Sequence, residues 1–300
     1  MKSKNFRQWV FHLFSYIVIC QFSFIIKLLP YFTYKYISKI LGSFMFFTVK
    51  GNKNKVIKNL EIAFGDKKTA EERRNICRTL FVETIMNFLE MIYFTKSTEK
   101  KLQKLVEVEG EENLKEAMKQ KMGVVAACSH MGNFPIMQTK LVKMGYPVNS
   151  IARDANNVYL AKFGHNIRKK VNMPDISKWN IKKAIKESQA WLKNNGILCI
   201  YLDQHAGNGV KVKFFDRDVL VPVGAAVFAR KYKCPVIGIF SYRKKSGKHK
   251  VIIEGPYKLQ RTSNSKQDIQ KNTSIFMERV EYYTKQYPEQ WFSWMHRRFR

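Results

Sequence analysis

The chain has 300 residues, 45% of them hydrophobic, enough for a sizeable core in one large domain or two small ones. Lys and Arg number 54 against 23 Asp and Glu, a formal charge of +31 spread along the whole chain. Such an excess implies an anionic partner, whether nucleic acid, anionic lipid or an acidic protein; the plainer reading is a solvated basic surface. Five cysteines (Cys20, Cys77, Cys128, Cys199 and Cys234) are odd in number and none has C-x-x-C spacing, which argues against a disulfide framework or a zinc site. Cys128, Cys199 and Cys234 sit in apolar runs and read as small buried hydrophobes in a reducing compartment.

Taken in chain order, Trp9 to Ile26 form an apolar run without a formal charge, preceded by Lys2, Lys4 and Arg7 and followed by Lys27. At ~1.5 Å per residue the run is about 27 Å long, close to the ~30 Å hydrocarbon core. It exceeds the apolar stretch of a signal peptide and no small-x-small site follows, so a membrane anchor is expected. Residues 28–50 remain aromatic, with lysines at 35 and 39, and read as an interfacial helix. The expected division is 1–50 as anchor and 51–300 as one domain.

Residues 51–95 read as two helices, the first with Val56, Leu60 and Phe64 at helical spacing, the second capped by Thr69. VEVEG at 106–110 is strand-like and leads to a short helix, after which VVAAC fits a buried strand. The alternation continues with a strand at 147–153, a helix at 181–195 whose expected inner face is Ile181, Ala184, Ile185, Ser188 and Leu192, and a strand at 197–203. GAAVFARKY is helical, CPVIGIFSYR and HKVIIEGP are strands, and 268–287 form a last amphipathic helix through Ile269, Phe276, Val280 and Tyr283. Strand–helix alternation of this kind argues an α/β fold, a mixed, mostly parallel sheet flanked by helices.

Four polar clusters fall at expected strand ends or at the chain end. His130, in CSHMGN, follows a buried strand, where ligand sites of open α/β sheets gather, and a histidine there can serve as a general base. Gly132 lets backbone approach a ligand and Asn133 can cap the next helix. A structural histidine in a turn is the plain alternative. Asp203 and Gln204 follow a second strand, and Arg153–Asp154 a third. The ending WFSWMHRRFR sets paired tryptophans beside His296, Arg297, Arg298 and Arg300, a composition suited to anionic head groups, or equally to two core tryptophans with a solvated tail.

Together these blocks resemble the lysophospholipid acyltransferase superfamily, and within it the lipid A lauroyl/myristoyl acyltransferases. The stretch VEVEGEENLKEAMKQKMGVVAACSHMGNF, the IAR block with Asn156–Asn157 and Arg168, GILCIYLDQ, GVKVKFFDRD, GAAVFARKYKCPVIGIF and the closing W-x-x-x-H-R-R match in order along most of the chain. The resemblance implies a glycerolipid-acyltransferase-like fold behind a single N-terminal anchor in the bacterial inner membrane, with the active site facing the cytoplasm. It implies fatty acyl transfer from acyl carrier protein to a hydroxyl of a lipid A precursor with His130 as base, needing no cofactor or metal. The partners it implies are acyl carrier protein and an anionic lipid, not nucleic acid. Amides around Gly132 and Asn133, or Arg153, are the expected oxyanion donors; Arg153, Arg168, Arg297 and Gln204 are the other expected substrate contacts. The sequence departs from the family at one place. The family's motif is His, four residues, then Asp or Glu, but Pro135 stands at the acidic position. The departure implies either an altered or lost activity or, as the favoured reading, another carboxylate orienting His130, Asp203 first and Asp154 second. Alternatively, the chain acylates another lipid, or is a basic lipid-binding relative without activity.

Overall fold

The computed structural model describes residues 6–299 apart from 96, 98, 172 and 174; Lys2, Lys4 and Arg300 lie outside the described residues. Helix α1 (Phe6–Leu28) comes first, then α2 (Tyr34–Thr48), α3 (Lys50–Phe64), α4 (Ala70–Phe94) and α5 (Glu99–Leu105). Strands and helices then alternate: β1 (Val106–Glu109), α6 (Glu111–Lys119), β2 (Val124–Cys128), α7 (Phe134–Lys143), β3 (Val148–Ala152), α8 (Val158–Lys170), β4 (Asp175–Ser177), α9 (Ile181–Lys193) and β5 (Ile197–Tyr201). A hairpin, β6 (Val210–Phe214) and β7 (Arg217–Val221), precedes α10 (Gly224–Tyr232), β8 (Val236–Arg243), β9 (His249–Glu254) and α11 (Ser265–Gln286). Short 3-10 turns at Pro288–Gln290 and Phe292–Met295 close the chain.

Seven strands form one sheet in the order β1-β9-β8-β2-β5-β3-β4. Every pairing is parallel except β8–β9. The expected mixed, mostly parallel sheet with flanking helices is thus what forms. Strand β2 is buried along its whole length because both sheet faces are covered. Val125 and Ala127 point into one core with Phe276, Val280 and Trp294, and Val124, Ala126 and Cys128 into the other with Leu114 and Ile136.

Local chemistry explains the element ends. Thr69 and Glu72 form a reciprocal capping box at the start of α4. Asn133, Asn157, Asn180 and Asn264 each cap a helix with the side-chain oxygen. In α9 the inner face is narrower than its periodicity suggests: Ala184, Ser188 and Leu192 are buried, whereas Ile181 and Ile185 stay exposed.

The N-terminal helices differ from the rest. Helix α1 is long and apolar enough to cross a membrane and is mostly uncovered by the protein. It touches α8 through Tyr16–Tyr159 packing and a bond from Asn157 to the His12 carbonyl. Helix α2 buries Tyr34, Ser38, Gly42 and Phe46, one stripe at i, i+4 spacing, and leaves Tyr36, Ile40, Phe44 and Phe47 exposed. Its buried stripe lies against α4, where a Cβ on Gly42 would stand 2.5 Å from the Val82 Cα.

Candidate active site

The parallel register sets the site. Cys128 at the end of β2 is paired with Tyr201 at the end of β5. Two residues further along each strand end stand His130 and Asp203, side by side at the carboxyl edge of the sheet. The His130 Nδ1 is 2.7 Å from the Asp203 Oδ1, and the His130 amide donates to Oδ2 at 2.8 Å. Asp203 is fully buried, while the His130 side chain keeps 18% of its surface. The imidazole packs on Tyr201, with ring centroids 4.5 Å apart, and edge-on to Phe134 at 5.0 Å. Two ring walls and a carboxylate therefore fix the imidazole, and its Nε2 has no hydrogen-bond partner among the described residues.

The chain terminus completes the support. The Trp291 indole N–H donates to the Asp203 Oδ2 at 2.7 Å and the Ser293 hydroxyl to the same oxygen at 2.9 Å. Phe292 donates its amide to the His130 carbonyl, and Met131 bridges to Trp291. Burial alone would raise the Asp203 carboxyl, but the His130 charge and the hydrogen bonds from His130 and Trp291 outweigh it and hold the group down at about 2. His296 is close enough to respond: burial first, then the His130 charge, pushes its imidazole below the ordinary range. Its Nε2 lies 3.4 Å from the Gln204 amide nitrogen.

Behind the histidine loop lies a buried ion network. Glu90 is fully buried and accepts from Arg243, His249, Asn133 and Tyr31. Arg243 also reaches Glu83 at 2.8 Å and Asn87 at 2.8 Å. Burial would push the Glu90 carboxyl up, but the charges of His249 and Arg243 hold it well below the usual carboxylate range. The network ties α4, β8 and β9 to the start of α7 and so braces the loop that presents His130.

Several expected contacts are placed elsewhere. Asp154 pairs with Arg168 at 3.1 Å rather than with His130, because it follows β3, separated from β2 by β5. Arg168 is further engaged by Asp175 at 2.9 Å, and Arg153 lies over the Trp179 ring. The Gly132 amide already donates to the Gln290 carbonyl, so it is not a free oxyanion donor. The Asn133 side chain is spent on capping α7 and on Asn87 and Glu90, so it is not available to a substrate. Arg297 is exposed, whereas its neighbour Arg298 is buried. The closing tryptophans are fully buried, so they do not meet head groups. Trp291 and Ser293 as supports of Asp203 were not among the expected site residues; only the closing block itself marked that segment.

The family model described as bacterial lipid A biosynthesis acyltransferase matches residues 2–300. The chain belongs to that family. No curated protein matches it. This acyltransferase of lipid A biosynthesis carries Pro135 at the first turn of α7, where the fixed φ and missing N–H of proline suit a helix start. The carboxylate beside its histidine is instead Asp203, delivered by the neighbouring strand.

Proposed function

We propose that this acyltransferase moves a fatty acyl chain from an acyl carrier protein thioester to a hydroxyl of a lipid A precursor, with His130 as general base and Asp203 as its orienting carboxylate. The observation that carries this is the 2.7 Å contact between His130 Nδ1 and the buried Asp203. With Nδ1–H donated to Asp203, Nε2 is the basic nitrogen. It takes the hydroxyl proton as the oxygen attacks the thioester carbonyl. The tetrahedral intermediate then collapses, the C–S bond breaks, and the imidazolium returns the proton to the departing thiolate.

The surface supports both substrates and a membrane setting. A charge of +31 attracts an acidic carrier protein and a phosphorylated lipid. Helix α1 and the exposed aromatic side of α2 suit an anchor and an interfacial helix, which would set the sheet edge at the lipid surface. The basic N-terminal flank favours a cytoplasmic side for that end.

The test is acyl transfer in vitro from acyl carrier protein by membranes carrying wild type, His130→Ala or Asp203→Asn. Loss of about 10²–10⁴-fold in His130→Ala, and a smaller loss in Asp203→Asn, is the expected pattern. Full activity in His130→Ala would remove the base assignment; full activity in Asp203→Asn would mean that His130 works without a carboxylate.

A further inference from the structure

Arg298 is 1% exposed, yet its Nε and Nη2 have no hydrogen-bond partner among the described residues. Among the described residues, its one hydrogen bond is from Nη1 to the Leu220 carbonyl at 3.2 Å. A buried guanidinium with unpaired donors is among the costlier things a fold can keep, and it is usually matched by an anion. Arg298 lines a cavity of about 320 Å³ with His205, Lys211, Asp218, Val219 and Leu220. The one carboxylate there, Asp218, is already neutralised by Lys213 at 2.9 Å. The cavity thus keeps a net positive charge from Arg298 and the exposed Lys211. It is linked to the site described above through packed side chains. The Arg298 guanidinium lies over Phe214, Phe214 packs on Trp291, and Trp291 donates to Asp203. Burial pushes the guanidinium down to about 10, opposed by Asp203, which leaves it fully charged at neutral pH.

We propose that this cavity is a phosphate-binding subsite, in which the Arg298 guanidinium and Lys211 hold a phosphate group. Within the acyltransferase reading, on which the choice of ligand rests, that phosphate is carried by the lipid acceptor or by the pantetheine arm of the acyl donor. The terminal Arg-Arg pair is then divided: Arg298 faces inward to the subsite and Arg297 outward to solvent.

Two measurements on the full-length protein in detergent test the proposal. The first is thermal unfolding with inorganic phosphate against chloride at equal ionic strength. Wild type is stabilised by phosphate, Arg298→Met is not, and Lys211→Gln responds less. Without phosphate, Arg298→Met unfolds at a higher temperature than wild type, because an unpaired buried charge has gone. Lys211 is exposed, so its variant keeps the test open should Arg298→Met fold poorly. No phosphate-specific stabilisation of wild type, or equal stabilisation of wild type and both variants, overturns the subsite. The second is steady-state acyl transfer with each substrate varied. Arg298→Met raises one KM by roughly 10–100-fold, the size of a lost charged hydrogen-bond pair. A rise for the acceptor assigns the phosphate to the lipid, and a rise for the donor assigns it to the pantetheine arm; unchanged KM values for both contradict the proposal. If wild type transfers no acyl chain at all, the catalytic reading fails while the phosphate-binding result stands on its own.

Discussion

Asp203 links the chain's two ends of chemistry, because it holds His130 on one side and receives the terminal Trp291 and Ser293 on the other. Its carboxyl is lowered to about 2 in the fold from an ordinary 3.8. The unfolded chain therefore binds a proton first as the pH falls, and the stability Asp203 contributes, about 2 kcal/mol, is complete above about pH 4 and lost as pH drops toward 2. Thermal unfolding of wild type and Asp203→Asn should diverge above pH 4 and converge on acidification; a gap independent of pH across that window would contradict the charge assignment. Gly132 has φ +55, and a Cβ there would stand 2.5 Å from the Ser241 carbonyl oxygen. Gly132→Ala should cost roughly 1–3 kcal/mol by strain and overpacking, and lower activity by displacing the His130 loop, as melting temperature and rate will show. The His130–Asp203 pair is legible in the sequence because two apolar strands each end two residues before a polar group. The role of Trp291 is not legible, since a tryptophan amid arginines looks the same whether its ring meets lipid or fills a core.

At the scale of elements, α4 does most to position the site. Its Glu90 anchors Arg243 and His249, and its Asn87 holds the Gly132 carbonyl at 2.9 Å. Replacing Arg243 by Met leaves Glu90 buried with only neutral and histidine partners, and should cost about 3–5 kcal/mol; a melting temperature close to wild type would show that the network is dispensable. Gly42→Leu should separate α2 from α4 and lower the melting temperature, with a loss of roughly 1–3 kcal/mol. The sheet strands are legible because they are short apolar runs closed by turn residues. The β6–β7 hairpin is not among the expected elements, although Val210, Val212 and Phe214 alternate with Lys211 and Lys213. Its two-residue turn is Phe215–Asp216, both at positive φ, in place of the usual Asn-Gly or Asp-Gly. Phe215 is held there by Phe64 and Trp294 and by the hydrogen bond its backbone N–H donates to the Glu281 carboxylate, so tertiary packing overrides the local preference.

At the scale of the whole molecule, a mostly parallel sheet gathers strand ends on one edge, α1 stays mostly uncovered, and α2 packs one side on α4 and leaves the other exposed. In the proposed reaction, that arrangement would let a strongly basic chain receive an acidic carrier protein and a lipid at one edge of the sheet. The catalytic fold and the family were legible from ordered sequence blocks; the partners of the acidic group that replaces position 135 were not, since they depend on which strand neighbours which. The most direct measurement is mass spectrometry of lipid A from cells with the gene deleted and then restored as wild type or as His130→Ala. The account predicts one fewer acyl chain per lipid A in the deletion strain, return of that chain with wild type, and no return with His130→Ala. Unchanged lipid A on deletion, or full restoration by His130→Ala, would contradict it.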